Sequence, residues 1–120
     1  MPNFYPMPDL NVLNEYLIVD STSASGLRWK VDRRGTAKAG TVAGRTNDTS
    51  YWQTRVNGTH YLNHRLIAYM VSRTDQTDKV VDHIDGNMRN NNVENLQVIT
   101  QSQNLRKSKG EVINPLVVTA

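Results

Sequence analysis

The chain has 120 residues, enough for one domain, with 38% hydrophobic residues, no cysteine and a net charge of +3. The lack of cysteine excludes disulfides, thiolate zinc sites and a cysteine nucleophile, and it fits a reducing cytoplasm. No apolar run approaches the roughly 20 residues that span a bilayer, and Met1–Pro6 carries neither the basic nor the apolar stretch of an export signal, so a soluble cytoplasmic protein is expected.

In chain order, residues 1–12 hold three prolines and predict an irregular arm. Tyr16–Asp20 is a short β-prone run closed by the turn-rich segment Ser21–Gly26. From Leu27 to Asp32 apolar and polar residues alternate, which puts Leu27, Trp29 and Val31 on one face and Arg28 and Lys30 on the other. Trp29 and Trp52 are expected in the core. Residues 32–44 predict loop with a short strand near Thr41–Ala43. Tyr51–Val56 and Thr59–Leu62 flank Asn57-Gly58, the pair suited to a type I′ turn, so a hairpin is predicted. Asn63 is placed to cap a helix over His64–Val71, which is apolar almost all round and therefore buried. Val80 opens a strand that reaches Asp85 and breaks at Gly86-Asn87. Asn90–Asn92 read as a turn, Leu96–Ile99 as the returning strand, and Thr100 as the cap of a helix over Gln101–Lys107. Beyond Ser108, Val112-Ile113 and Leu116–Val118 add either an edge strand or a loose tail.

Charge is distributed unevenly. Residues 28–73 carry nine bases against Asp32 and Asp48, whereas residues 74–105 carry Lys79 and Arg89 against five acids. A cationic block beside an acidic one suits phosphodiester chemistry, with cations to hold a polyanion and carboxylates to hold a divalent metal.

Within the acidic block, Val80-Val81-Asp82-His83-Ile84-Asp85-Gly86-Asn87 is followed by Asn91-Asn92, Glu94-Asn95-Leu96 and Ser102-Gln103-Asn104. This pattern resembles the HNH endonuclease family, specifically its small phage-type and homing-type members, strongly over residues 64–106 and weakly upstream. The resemblance implies an α+β fold: a small antiparallel β-rich N-terminal module, then a helix, then a C-terminal ββα-metal unit. It divides the chain into a basic DNA-gripping region (1–63), a nuclease unit (64–107) and a tail (108–120), together one compact domain. It further implies double-stranded DNA as the substrate and a phage-encoded protein acting in the host cell.

The residue types suit that chemistry. His83 is the natural general base, since an imidazole titrating near pH ~6.5 accepts a proton at neutral pH. Asp82 and Asn104 supply hard oxygen ligands for one divalent ion, Mg²⁺ or Mn²⁺. Many family members have His where this chain has Asn104, a departure that moves the preference away from zinc and nickel. The resemblance gives Asn95 the task of tying the loop between the two strands and helping to orient His83. Adjacent strand residues point to opposite faces, so Asp82 and His83 are expected to share a site only if the chain bends or leaves the sheet there. Asp85, before Gly-Asn, is expected to cap a turn, and His64 to pack. Arg28, Lys30, Arg55, Arg65, Arg106 and Lys107 are the candidate phosphate contacts. One active site per chain cuts both strands only by homodimerising or rebinding. The alternative function is a DNA-binding or regulatory module that does not cut; against it, base and ligands are all present.

Overall fold

The computed structural model describes residues 7–33, 35, 37–46, 51–74, 78–110 and 116–117. A helix, α1 (Leu10–Tyr16), begins inside the stretch expected to be an irregular arm. The Asp9 carboxylate accepts from the Asn11 N–H at 2.8 Å, answering one of the donors a helix start leaves open, and Leu13 anchors the helix in the core. The chain then runs directly into β1 (Leu17–Val19), which pairs antiparallel with β2 (Leu27–Trp29). Lys30 falls just beyond that strand. Near residues 41–43 the expected strand reduces to a single bridge between Arg28 and Val42.

The predicted hairpin forms as β3 (Gln53–Val56) and β4 (Thr59–Leu62). Asn57 and Gly58 turn it at φ 49° and 84°, the positive values a type I′ turn requires. Asn63 does not cap the following helix, α2 (Asn63–Ser72); it is the first helical residue, and Leu62 occupies the cap without a side-chain bond. Its fully buried carboxamide accepts from Thr54 Oγ1 at 2.6 Å and donates to the carbonyls of Ser25 and Ala43 at 3.3 and 3.2 Å. An unpaired amide there would cost about 1–3 kcal/mol, so these bonds hold both loops to the hairpin.

The C-terminal sheet is antiparallel in the order β5 (Val80–His83), β6 (Leu96–Ile99), β7 (Leu116–Val117). β6, the central strand, is buried along its whole length. Thr100 and Gln103 form a capping box that starts α3 (Gln101–Ser108), each side chain bonding the other's backbone N–H at 3.0 Å. The possible edge strand is present at Leu116–Val117, while Val112 and Ile113 lie outside the described residues. The fold is thus α+β, with small antiparallel strand pairs and a ββα unit at the C-terminal end. Leu66 and Ile67 of α2 join Leu13 and Leu27 to Val81 and Leu96 in one apolar cluster, so α2 is the hub against which both halves pack. Trp29 belongs to that cluster, as expected; Trp52 is half-buried. Among the described residues no helix is long and apolar enough to cross a membrane.

Candidate active site

The acidic strand β5 keeps regular pairing up to His83, opposite Leu96. The chain leaves the sheet immediately afterwards, with the Ile84 N–H donating to the Asn95 carbonyl at 2.8 Å. Along β5 the side chains alternate. Val81 and His83 are buried on one face, while Asp82 is half-buried on the other. The last two strand positions therefore send an imidazole and a carboxylate to opposite sides of the strand end.

On the first side His83 is 6% exposed, and its Nε2 lies 2.8 Å from Asn91 Oδ1. Asn91 Nδ2 donates to the Ser25 carbonyl at 3.1 Å, which assigns the amide's orientation and turns its oxygen to the ring. That oxygen can only accept, so Nε2 carries the proton and Nδ1 is the basic nitrogen. The ring of His64 stands 4.8 Å from that of His83, and Tyr51 lies 5.2 Å from His64 and 6.0 Å from His83 between ring centroids. Burial, followed by the charges of His83 and Arg65, holds the His64 pKa down at about 3. His64 is thus a neutral packing partner, in line with expectation, and its Nδ1 is buried without a hydrogen bond.

On the opposite side Asp82 Oδ2 accepts from Gln97 Nε2 at 2.7 Å and from Lys107 Nζ at 2.6 Å. Gln97 is the cross-strand partner of Asp82. The Lys107 ammonium also donates to the His83 carbonyl at 2.9 Å. Lys107 comes from α3, whose less exposed residues are Gln103, Asn104 and Lys107, one face at helical spacing. It is Lys107 that reaches the acid; Asn104 stands one turn earlier on the same face. A positive group is thereby held between a carboxylate and a carbonyl oxygen.

The loop after β5 is organised by Asp85. Its carboxylate accepts from Asn90 Nδ2 at 3.0 Å, from the Asn87 N–H at 2.8 Å and from Asn95 Nδ2 at 2.9 Å. These bonds, Asn90 foremost, pull its pKa down to about 2. Asn95 also donates to the Asn90 carbonyl at 2.9 Å and accepts from the Asp85 N–H at 3.1 Å. It ties the loop, and the residue bonded to the His83 ring is Asn91. In the sequence Asn91 sits in a run of three asparagines that reads as turn chemistry, and only its burial sets it apart.

Most of the candidate phosphate contacts have partners within the chain. Arg28 Nε pairs with Asp20 at 2.9 Å, and its Nη1 donates to the Gly40 carbonyl at 3.0 Å. Lys30 Nζ reaches the Asn14 carbonyl at 2.7 Å, and Arg65 the Lys79 carbonyl at 2.9 Å. Arg106 is exposed, with Nη2 3.3 Å from Ser102 Oγ. Arg55 lies exposed on the outer face of β3. Alternation in sequence identifies a face, but it does not identify carbonyls and acids brought from elsewhere.

Among the described residues no group of three His, Asp or Glu side chains is arranged around a common point. No curated protein and no solved structure matches the chain. Residues 61–106, from β4 through α3, match the profile of the HNH endonuclease family. Over that segment the chain is similar to the HNH endonuclease family.

Proposed function

We propose that the chain is a metal-dependent DNA endonuclease that hydrolyses a phosphodiester bond at the end of β5, with His83 as general base. The observation that carries this is the two-sided strand end, with an oriented imidazole on one face and a cation-holding carboxylate on the other. In-line displacement places the attacking water and the leaving oxygen on opposite sides of phosphorus. Base and positive charge are therefore needed on opposite sides of the scissile group. Because the chain leaves the sheet directly after His83, the two side chains can flank a phosphate seated at the strand end.

In this mechanism His83 Nδ1 takes the proton of the attacking water, while Asn91 holds Nε2 and fixes the ring. Asn95 acts at one remove, by holding the carbonyl of Asn90, the residue before Asn91. On the other face, the Asp82 carboxylate and the His83 carbonyl already hold an ammonium group, so the position accepts positive charge. With the carboxamide of Asn104 on the facing helix, the donor set is oxygen throughout, which fits Mg²⁺ or Mn²⁺ better than zinc. Such an ion, when bound, stabilises charge on the phosphate and the leaving oxygen. Lys107 must give up its bond to Asp82 for the carboxylate to serve as that ligand. Residues 1–63 are assigned to gripping DNA, residues 64–107 to cutting, and residues 108–120 to the tail. Arg55 and Arg106 contact phosphates.

The test is supercoiled plasmid incubated with the protein in Mg²⁺, Mn²⁺ or EDTA. Metal-dependent relaxed circles are expected from a single centre, and direct linear product if two copies act together. DNA bound under every condition with no product would instead favour a module that binds without cutting.

A further inference from the structure

The N-terminal half carries a cavity of about 1170 Å³ whose walls include Trp29, Arg33, Arg45, Tyr51, Arg55 and His60. All six precede residue 61, where the family match begins. Three guanidinium groups face one carboxylate, Asp32, whose Oδ1 is engaged by the Ala39 N–H at 2.9 Å. The cations stand on built positions. Arg33 lies 4.4 Å over the Tyr16 ring and 5.4 Å from that of Trp29. Arg45 exchanges both backbone hydrogen bonds with Gln53, at 2.8 and 2.9 Å. Gln53 and Arg55 share the exposed face of β3, and Arg55 is registered against His60 across the hairpin. Arg45, Arg55 and His60 thus line one wall. Tyr51, also in the lining, is the residue whose ring stands 6.0 Å from that of His83, so one wall of the groove lies beside the end of β5.

The geometry points to this groove as the seat of the phosphate backbone of double-stranded DNA alongside the cut. The placement of the cut rests on the nuclease proposal above; the grip itself rests on the charge and shape of the groove. A duplex fits better than a single strand. Single-strand grooves combine cations with a series of exposed aromatic rings on which bases stack, and here Tyr51 is 40% exposed while Trp29 is 8% exposed and belongs to the core. The grip therefore moves from Arg28 and Lys30, which bond to Asp20 and to the Asn14 carbonyl, to Arg33, Arg45 and Arg55.

Binding of a fluorescent duplex is measured by anisotropy across a NaCl series, in EDTA to suppress metal-dependent cutting. Each phosphate contact contributes about 0.9 to the slope of log affinity against log salt. Replacing both exposed arginines in R45A/R55A should lower the slope by about 2, while Lys30→Ala leaves it unchanged. A folded double variant with the parental slope overturns the groove, even if the protein cuts plasmid in Mg²⁺. A lowered slope in a protein that never cuts upholds the groove and removes the nuclease proposal. Tighter binding to a single strand of the same sequence overturns the duplex assignment, and no DNA binding by the intact chain overturns both.

Discussion

Asn91 is the residue on which the proposed base, His83, depends most directly. Its oxygen fixes the protonated nitrogen of His83, and its nitrogen is tied to Ser25 in the other half of the chain. Asn91→Ala should slow plasmid cutting by roughly 10²-fold, part of the 10²–10⁴-fold a positioned base supplies, with little change in DNA affinity. Nitrogen NMR of the His83 ring should then show the loss of a single preferred tautomer; an unchanged spectrum would remove Asn91 from this role. Lys107→Met should tighten Mn²⁺ binding, measured by calorimetry, by about fivefold, because a partly exposed ion pair of ~1 kcal/mol no longer competes for Asp82. Weaker binding would instead make Lys107 part of the cation site. His64 sets a pH dependence of stability. Its pKa in the folded protein, about 3, lies below the ordinary 6.5, so the unfolded chain takes up the proton first. The associated stability is complete above about pH 6.5 and is lost as pH falls towards 3. Denaturant unfolding at pH 7, 5 and 4 should show this decline, and His64→Phe should flatten it. Asp82 and His83 stood out as candidates in the sequence through the motif around them and the family it resembles. The bond from Asn91 to His83 and that from Lys107, named only as a phosphate contact, to Asp82 could not be read there, because these partners lie 8 and 25 residues away and only the fold brings them near.

At the scale of elements, the loop between β1 and β2 supports the site from outside the matched segment. Gly26 adopts φ +84°, and a Cβ there would come within 2.7 Å of Ile67 Cδ1 and 2.9 Å of the Asn91 carbonyl. Gly26→Ala therefore strains the turn and pushes on α2 and the Asn91 loop together, at a cost of about 1–3 kcal/mol. Urea unfolding should register that loss, and cutting should fall with it; unchanged stability and rate would mean that the loop does not brace the site. The hairpin β3–β4 and the capping box of α3 were legible because turn and cap chemistry are local. α1 was hidden behind nearby prolines although Asp9 is a regular N-cap, and Asn63 was misassigned because a cap and a buried amide look alike in sequence. Of the alternatives set for Asp82 and His83, the strand does not bend: it is regular through both residues, places them on opposite faces, and leaves the sheet after His83.

At the scale of the molecule, α2 joins a basic, hairpin-built half to the ββα unit, and the rings of Tyr51, His64 and His83 run between them. The overall α+β plan was readable from motif and periodicity. Of the cationic wall only the basic block and Arg55 were readable, because the wall gathers arginines from a loop and a hairpin whose approach no local pattern records. What unites these features is the assignment of hydrolysis to the end of β5. The most direct test is single-turnover cleavage of supercoiled plasmid in Mg²⁺ by the intact chain and by His83→Gln, compared at equal DNA occupancy. The prediction is a rate lower by about 10²–10⁴-fold for the variant, with DNA affinity retained. Equal cutting by both proteins, or DNA binding without cutting by either, would contradict it.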